Sequence, residues 1–99
     1  MDNKKDYAVV QTSILIPTYN NPLSLKRAVD SCLTQKYQDF EIIITDDSTN
    51  DESEKMYHQI WQNSEKIKYF HNKIPLGSPK NWNFAISKAR GEYKNPASR

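Results

Sequence analysis

A single cysteine, Cys32, stands in these 99 residues. That excludes an intramolecular disulfide framework and any cysteine-based zinc cluster. Apolar side chains are also sparse, at 36%, and the 2 glycines add little. Globular averages on the same count run roughly 45–50%, so the core is lean. A chain of this length makes at most one domain and buries only somewhat more than about 60% of its unfolded surface. No apolar run approaches the roughly 20 residues of a membrane-spanning helix. No signal-peptide hydrophobic segment opens the chain, so the expected compartment is cytoplasmic. Internal repeats and low-complexity tracts are absent.

Charge is present, and it is segregated. The net charge is only +2, too small to argue for a nucleic-acid partner. Residues 39–54 carry 7 carboxylates and no cation, whereas residues 66–99 carry 8 cations against Glu92 alone. Two solvated faces of opposite sign account for this, as does a basic end that meets an anionic ligand.

The apolar pattern alternates between two periods. Ser13-Ile14-Leu15-Ile16 is a continuous run stopped by Pro17 and the turn-prone Asn20-Asn21-Pro22, which reads as a strand buried on both faces. Asn21 can cap a following helix with Pro22 in its first turn, and Leu25, Ala28, Val29, Cys32 and Leu33 form its apolar stripe. Cys32 lies on that stripe and reads as packing. Phe40 to Thr45 is a second, β-branched strand ending at Asp46-Asp47. Asp51 and Glu54 have capping-box spacing for a second helix that buries Met56, Tyr57, Ile60 and Trp61. Ile67, Tyr69 and His71 outline a third strand. Ser78-Pro79 opens a third helix, with Trp82, Ala85, Ile86 and Ala89 on one side and Gly91 as its stop. The order β-α-β-α-β-α calls for an α/β unit with a mostly parallel sheet. Gly91-Glu92-Tyr93 resembles the approach to a fourth strand, but Lys94 to Arg99 is polar and contains Pro96. The expectation is therefore a polar leader at 1–11, a ligand-binding unit at 12–93 that stops short of its fourth strand, and a polar tail at 94–99.

In open parallel sheets, ligands bind outside the carboxyl ends of the strands. Two loops leave those ends here: Pro17-Thr18-Tyr19-Asn20 and Asp46-Asp47-Ser48-Thr49-Asn50-Asp51. An aromatic at one strand end can stack on a planar base, and a carboxylate at the next can accept from its ring N–H. Tyr19 as a loop-packing aromatic and Asp46 as a turn-forming residue are the simpler alternatives. His58, mid-helix, and His71, at a strand end, read as surface residues. A phosphoacceptor receiver unit would carry its acid pair after the first strand; here the pair follows the second.

Four segments in collinear order, Ser13 to Asn20, Leu33-Thr34-Gln35, Phe40 to Asp47 and Asn83 to Tyr93, resemble the start of a family 2 glycosyltransferase over roughly residues 12–93. The resemblance implies the N-terminal half of a GT-A fold, a Rossmann-like unit that binds a nucleotide-sugar donor, with a UDP-sugar expected. By match to the family's motifs, Pro17, Thr18, Tyr19 and Asp46 would hold the nucleoside, and Asp47 would help shape the same pocket. Ser48 stands where the family often has Gly, and Thr49 where it often has Ser. The stretch from Leu76 to Asn83 resembles the one approaching the base and diphosphate; Trp82 stands where many relatives have Arg, and Lys80 is the substitute cation.

The resemblance also implies an Asp-x-Asp motif holding manganese or magnesium after the fourth strand. No such triplet occurs in the sequence. Asp46-Asp47 is no substitute, because neighbouring strand residues point to opposite faces. The expectation is that this chain alone binds no cofactor and catalyses no transfer, lacking metal site and base. A second reading is a non-catalytic assembly module that forms a homodimer through an uncovered first strand at the sheet edge. Peripheral association with a membrane-bound acceptor is implied only through the family.

Overall fold

Strands β1 (Thr12–Thr18) and β2 (Phe40–Asp46) form the middle of a parallel sheet, and β2 is buried at every position. A computed structural model describes residues 11–94 of the chain. The remaining elements are α1 (Pro22–Leu33), α2 (Glu52–Ile60), β3 (Ile67–His71), α3 (Ser78–Lys88) and β4 (Glu92–Lys94). The strand order is β3-β2-β1-β4, with every pairing parallel. The first three strands are laid down in one direction, and the chain then crosses by way of α3 to the far side of β1.

The fourth strand corrects the expectation that the unit stops before it. Glu92, Tyr93 and Lys94 pair with Thr12, Ser13 and Ile14, and the Glu92 N–H donates to the Gln11 carbonyl at 3.1 Å. Strand β1 is therefore interior over its first half rather than a free edge. Most of the expected leader and tail lies outside the described residues.

Side chains alternate along the central strands as a two-residue period requires. Ile14, Ile16, Ile42 and Ile44 face α1 and α2, where Leu25, Val29, Cys32 and Trp61 complete the larger core. Leu15 and Ile43 face the other way and meet Ala85, with Trp82 and Ile86 of α3 around them. The lean composition thus suffices for one good layer and one thin one.

Helix α1 begins as expected, with the Ser24 N–H donating to the Asn21 side chain at 3.1 Å. Helix α2 does not. Asp51 makes no side-chain cap; Asn50 accepts from the Glu52 N–H at 3.1 Å instead. Glu54 is drawn to His71 at 2.8 Å, so the capping box never closes. Ile60, expected inside, is 49% exposed, and Ser53 takes the buried position.

At the amino ends of the strands, Glu41 is almost fully buried yet charged. It accepts from the Ser13 hydroxyl at 2.6 Å, the Arg90 backbone N–H at 2.8 Å and the Arg90 guanidinium at 2.9 Å. Burial alone would push its carboxyl up; these donors and the Arg90 charge hold it below the ordinary value. The Ser13 hydroxyl also receives the Gly91 N–H at 2.8 Å, so one polar cluster fastens the turn into β4 to β1 and β2.

Candidate nucleotide site

The opposite end of the sheet carries the two loops singled out in the sequence, and they are stitched together. Asn20 takes a left-handed backbone (φ 48°), a conformation that Asn tolerates better than most residues. Its N–H donates to the Ser48 hydroxyl at 2.7 Å, and its side-chain carbonyl accepts from the Thr49 N–H at 2.9 Å. Ser48 thus makes a contact that the glycine common in the resembled motif has no side chain to make.

Between these loops and the start of α3 lies a cavity of about 590 Å³, lined by Pro17, Thr18, Tyr19, Asp47, Pro75, Gly77, Ser78, Asn81 and Trp82. That size is within the usual range for small-molecule sites. It opens at the carboxyl ends of β1 and β2, beside the point where the strand order reverses. Tyr19 is 59% exposed there, with its ring unclaimed by the core.

The structure brings Pro17, Thr18, Tyr19 and Asp47 together in that cavity and leaves Asp46 and Lys80 outside its lining. Asp46 continues the parity of Ile42 and Ile44 and so points toward α2. It is fully buried, accepting from the Ser48 N–H at 2.9 Å and from the Tyr69 hydroxyl. Burial, followed by the hydrogen bond and charge of Asp46, pushes the Tyr69 phenol up. Lys80 is exposed on the first turn of α3.

Asp47 points toward α3 and is the carboxylate of the cavity. Oδ1 accepts from the Leu76 N–H and the Asn72 amide, both at 2.9 Å, and Oδ2 accepts from the Gly77 N–H at 2.8 Å. Burial raises its carboxyl, but these three donors, with the His71 charge, outweigh it and hold the group below its ordinary value. A carboxylate has about four acceptor positions, so roughly one remains.

His71 is not the surface residue expected. Its side chain is 18% exposed, with Nδ1 2.8 Å from Glu54 and Nε2 3.0 Å from the Ser48 carbonyl. Both partners accept, so the charged imidazolium satisfies both. The Ser48 bond raises its titration; burial opposes that, and Glu54 and the Asp46 charge add to the rise. Asn72 and Asn81 were likewise missed. Their only signal in the sequence is an amide next to a strand end and another in the first turn of a helix. Among the described residues, no group of three or more His, Cys, Asp or Glu side chains could hold a metal ion.

Residues 13–94 match the family described as glycosyl transferase family 2. The chain is 32% identical over 82 residues to the GalNAc(5)-diNAcBac-PP-undecaprenol beta-1,3-glucosyltransferase of Campylobacter jejuni, a match covering 82% of this chain and 26% of that protein. It is 32% identical over 81 residues to glycosyltransferase GlyG of Streptococcus pneumoniae, covering 82% of this chain and 27% of the relative. Among solved structures, TarS 1–349 of S. aureus in complex with UDP-GlcNAc superposes with a TM-score of 0.69 at 24% identity, over 88% of this chain and 26% of that one. The mannosyltransferase PcManGT of Pyrobaculum calidifontis, in complex with GDP-Man and Mn2+, gives a TM-score of 0.75 at 17% identity, over 89% and 28%. The chain thus spans 26% and 27% of the length of these two curated relatives. With the family match running from β1 through β4, the chain belongs to glycosyl transferase family 2.

Proposed function

We propose that this chain is the donor-binding portion of a glycosyltransferase, taking the nucleoside of a nucleotide-sugar, a UDP-sugar by preference, into the cavity between β1, β2 and α3. The observation that carries the reading is the meeting of an exposed aromatic, Tyr19, with a buried, ionised carboxylate, Asp47, at the carboxyl ends of adjacent strands. The ring offers a face for a planar base. The remaining acceptor position of Asp47 suits an N–H on the base edge, and its depressed titration keeps it an acceptor at neutral pH. Thr18 and Pro17 line the same cavity. Asp46 serves from behind, holding the Ser48 N–H and hence the loop that meets Asn20. Lys80 supplies a positive charge beside Ser78 and Asn81 for the diphosphate. The family's manganese or magnesium does not fit these residues: Asp46 and Asp47 face opposite sides of the sheet, and their oxygens are engaged by protein donors. No transfer step is assigned to this chain, and pure protein should show no sugar transfer with either ion.

The test is an amide NMR titration with UDP, with and without manganese. Saturable shifts confined to residues 17–20, 46–49 and 76–82 are expected, with little change on adding metal. Tyr19→Ala should weaken UDP binding about tenfold, the loss expected for one base–aromatic stack. Absence of saturable shifts in a folded sample overturns the reading.

A further inference from the structure

Asn72 and Asn81 are joined in a chain of hydrogen bonds that has only one possible direction. The Thr45 carbonyl can only accept, so the Asn81 group facing it at 2.9 Å is the amide NH2. The Asn81 side-chain carbonyl must then face Asn72, whose NH2 donates to it at 2.9 Å. The second proton of that same NH2 goes to Asp47 Oδ1, also at 2.9 Å. The chain leaves β2 at Thr45 and returns at Asp47, the residue that follows the strand. Asn81 is 3% exposed, and its backbone N–H closes the first turn of α3 onto the Gly77 carbonyl at 2.8 Å. Gly77 in turn donates to the other oxygen of Asp47.

We propose that Asn81, acting through Asn72, is a positioning residue that keeps one acceptor position of Asp47 Oδ1 filled, so that the carboxylate is left with a single open position, directed to the cavity. This rests on the nucleotide reading above. Neither amide need touch the base. Asn81 fixes Asn72, and Asn72 occupies the acceptor position on Oδ1 that would otherwise compete with a ligand for orientation. The Leu76 and Gly77 N–H groups hold one oxygen each, at 2.9 and 2.8 Å; without Asn72 a second position on Oδ1 would open, and the carboxylate would offer an incoming N–H two directions instead of one.

The experiment compares Asn81→Ala, Asn72→Ala and Ala85→Gly, the last loosening the packing of α3 without touching the amides. Two quantities are read: the carbon-13 titration of the Asp47 carboxyl without ligand, and UDP affinity. Asn81→Ala should raise the Asp47 midpoint by about half a unit or more and weaken UDP about fivefold, as expected when one charge-assisted hydrogen bond is loosened. Ala85→Gly should lower thermal stability and leave the Asp47 midpoint in place. An unmoved midpoint in Asn81→Ala, or an equal movement in Ala85→Gly, overturns the proposal. If Asn81→Ala does not fold, Asn72→Ala decides: an unmoved midpoint overturns the proposal and a raised one supports it. If the unmodified chain fails to bind UDP, the nucleotide reading falls, while the ligand-free titration still judges the brace.

Discussion

Gly77 has a backbone that side chains rarely adopt, with φ 89° and ψ 161°, and a Cβ built there would meet nothing within 4 Å. Any penalty for Gly77→Ala is therefore conformational rather than steric. About 1–3 kcal/mol of stability should be lost, and UDP binding should weaken as the Gly77 N–H shifts from Asp47; chemical denaturation and titration read the two. Thr45 makes the converse case. Its hydroxyl is fully buried without a protein partner among the described residues. Thr45→Val removes an unsatisfied polar atom at nearly constant shape and should leave the Tm unchanged or raise it. The difference between Asp46 and Asp47 was readable in the sequence, since the parity of Ile42-Ile43-Ile44 runs straight into the acid pair. That parity serves equally to choose the cavity-facing carboxylate, which is Asp47. The amides at 72 and 81 and the His71–Glu54 pair were not readable. Each joins residues from different elements, and neither shows periodicity or a capping pattern.

At the scale of elements, two charged clusters hold pieces that packing alone holds weakly. His71 and Glu54 tie β3 to α2, and Glu41 ties the entry of β4 to β1 and β2. The two have opposite pH dependence. The imidazole of His71 titrates above its ordinary 6.5, so its contribution is complete below about pH 6.5 and is lost as pH rises through the raised value. Glu41 titrates below its ordinary 4.5, so its contribution is complete above about pH 4.5 and is lost as pH falls through the lowered value. Asp47 behaves like Glu41. Thermal stability should therefore peak between roughly pH 5 and 6.5. Glu41→Gln should flatten the acid limb of a Tm profile, and His71→Gln the alkaline limb. Arg90→Ala should be milder than Glu41→Ala, because the backbone N–H of residue 90 still reaches the carboxylate. Helix α2 shows why local capping rules failed here: Glu54 has a stronger partner in a protonated ring than in its own helix terminus.

The whole molecule is a parallel sheet whose strand order reverses once, and the candidate site lies beside that reversal. Element types and their order follow from hydrophobic period and from turn residues, which are local. The docking of β4 depends on Ser13, Glu41 and Arg90, three residues far apart in sequence, so a polar run after Gly91 looked like an ending. With Thr12–Ile14 already paired to β4, any strand exchange through that half of β1 must first displace β4. The Glu41 cluster has a further consequence for the order in which the molecule is made. Ser13 and Glu41 leave the ribosome early, whereas Arg90 and Gly91 come 49 and 50 residues after Glu41. Until then the buried anion has one donor of its own instead of three, and an under-satisfied buried charge opposes closure. Vectorial synthesis should therefore leave this part of the sheet unlocked until the turn into β4 arrives, and a stalled chain whose residue 89 has cleared the ribosome on an unrelated linker should be cut by proteases more readily than one extended through residue 94.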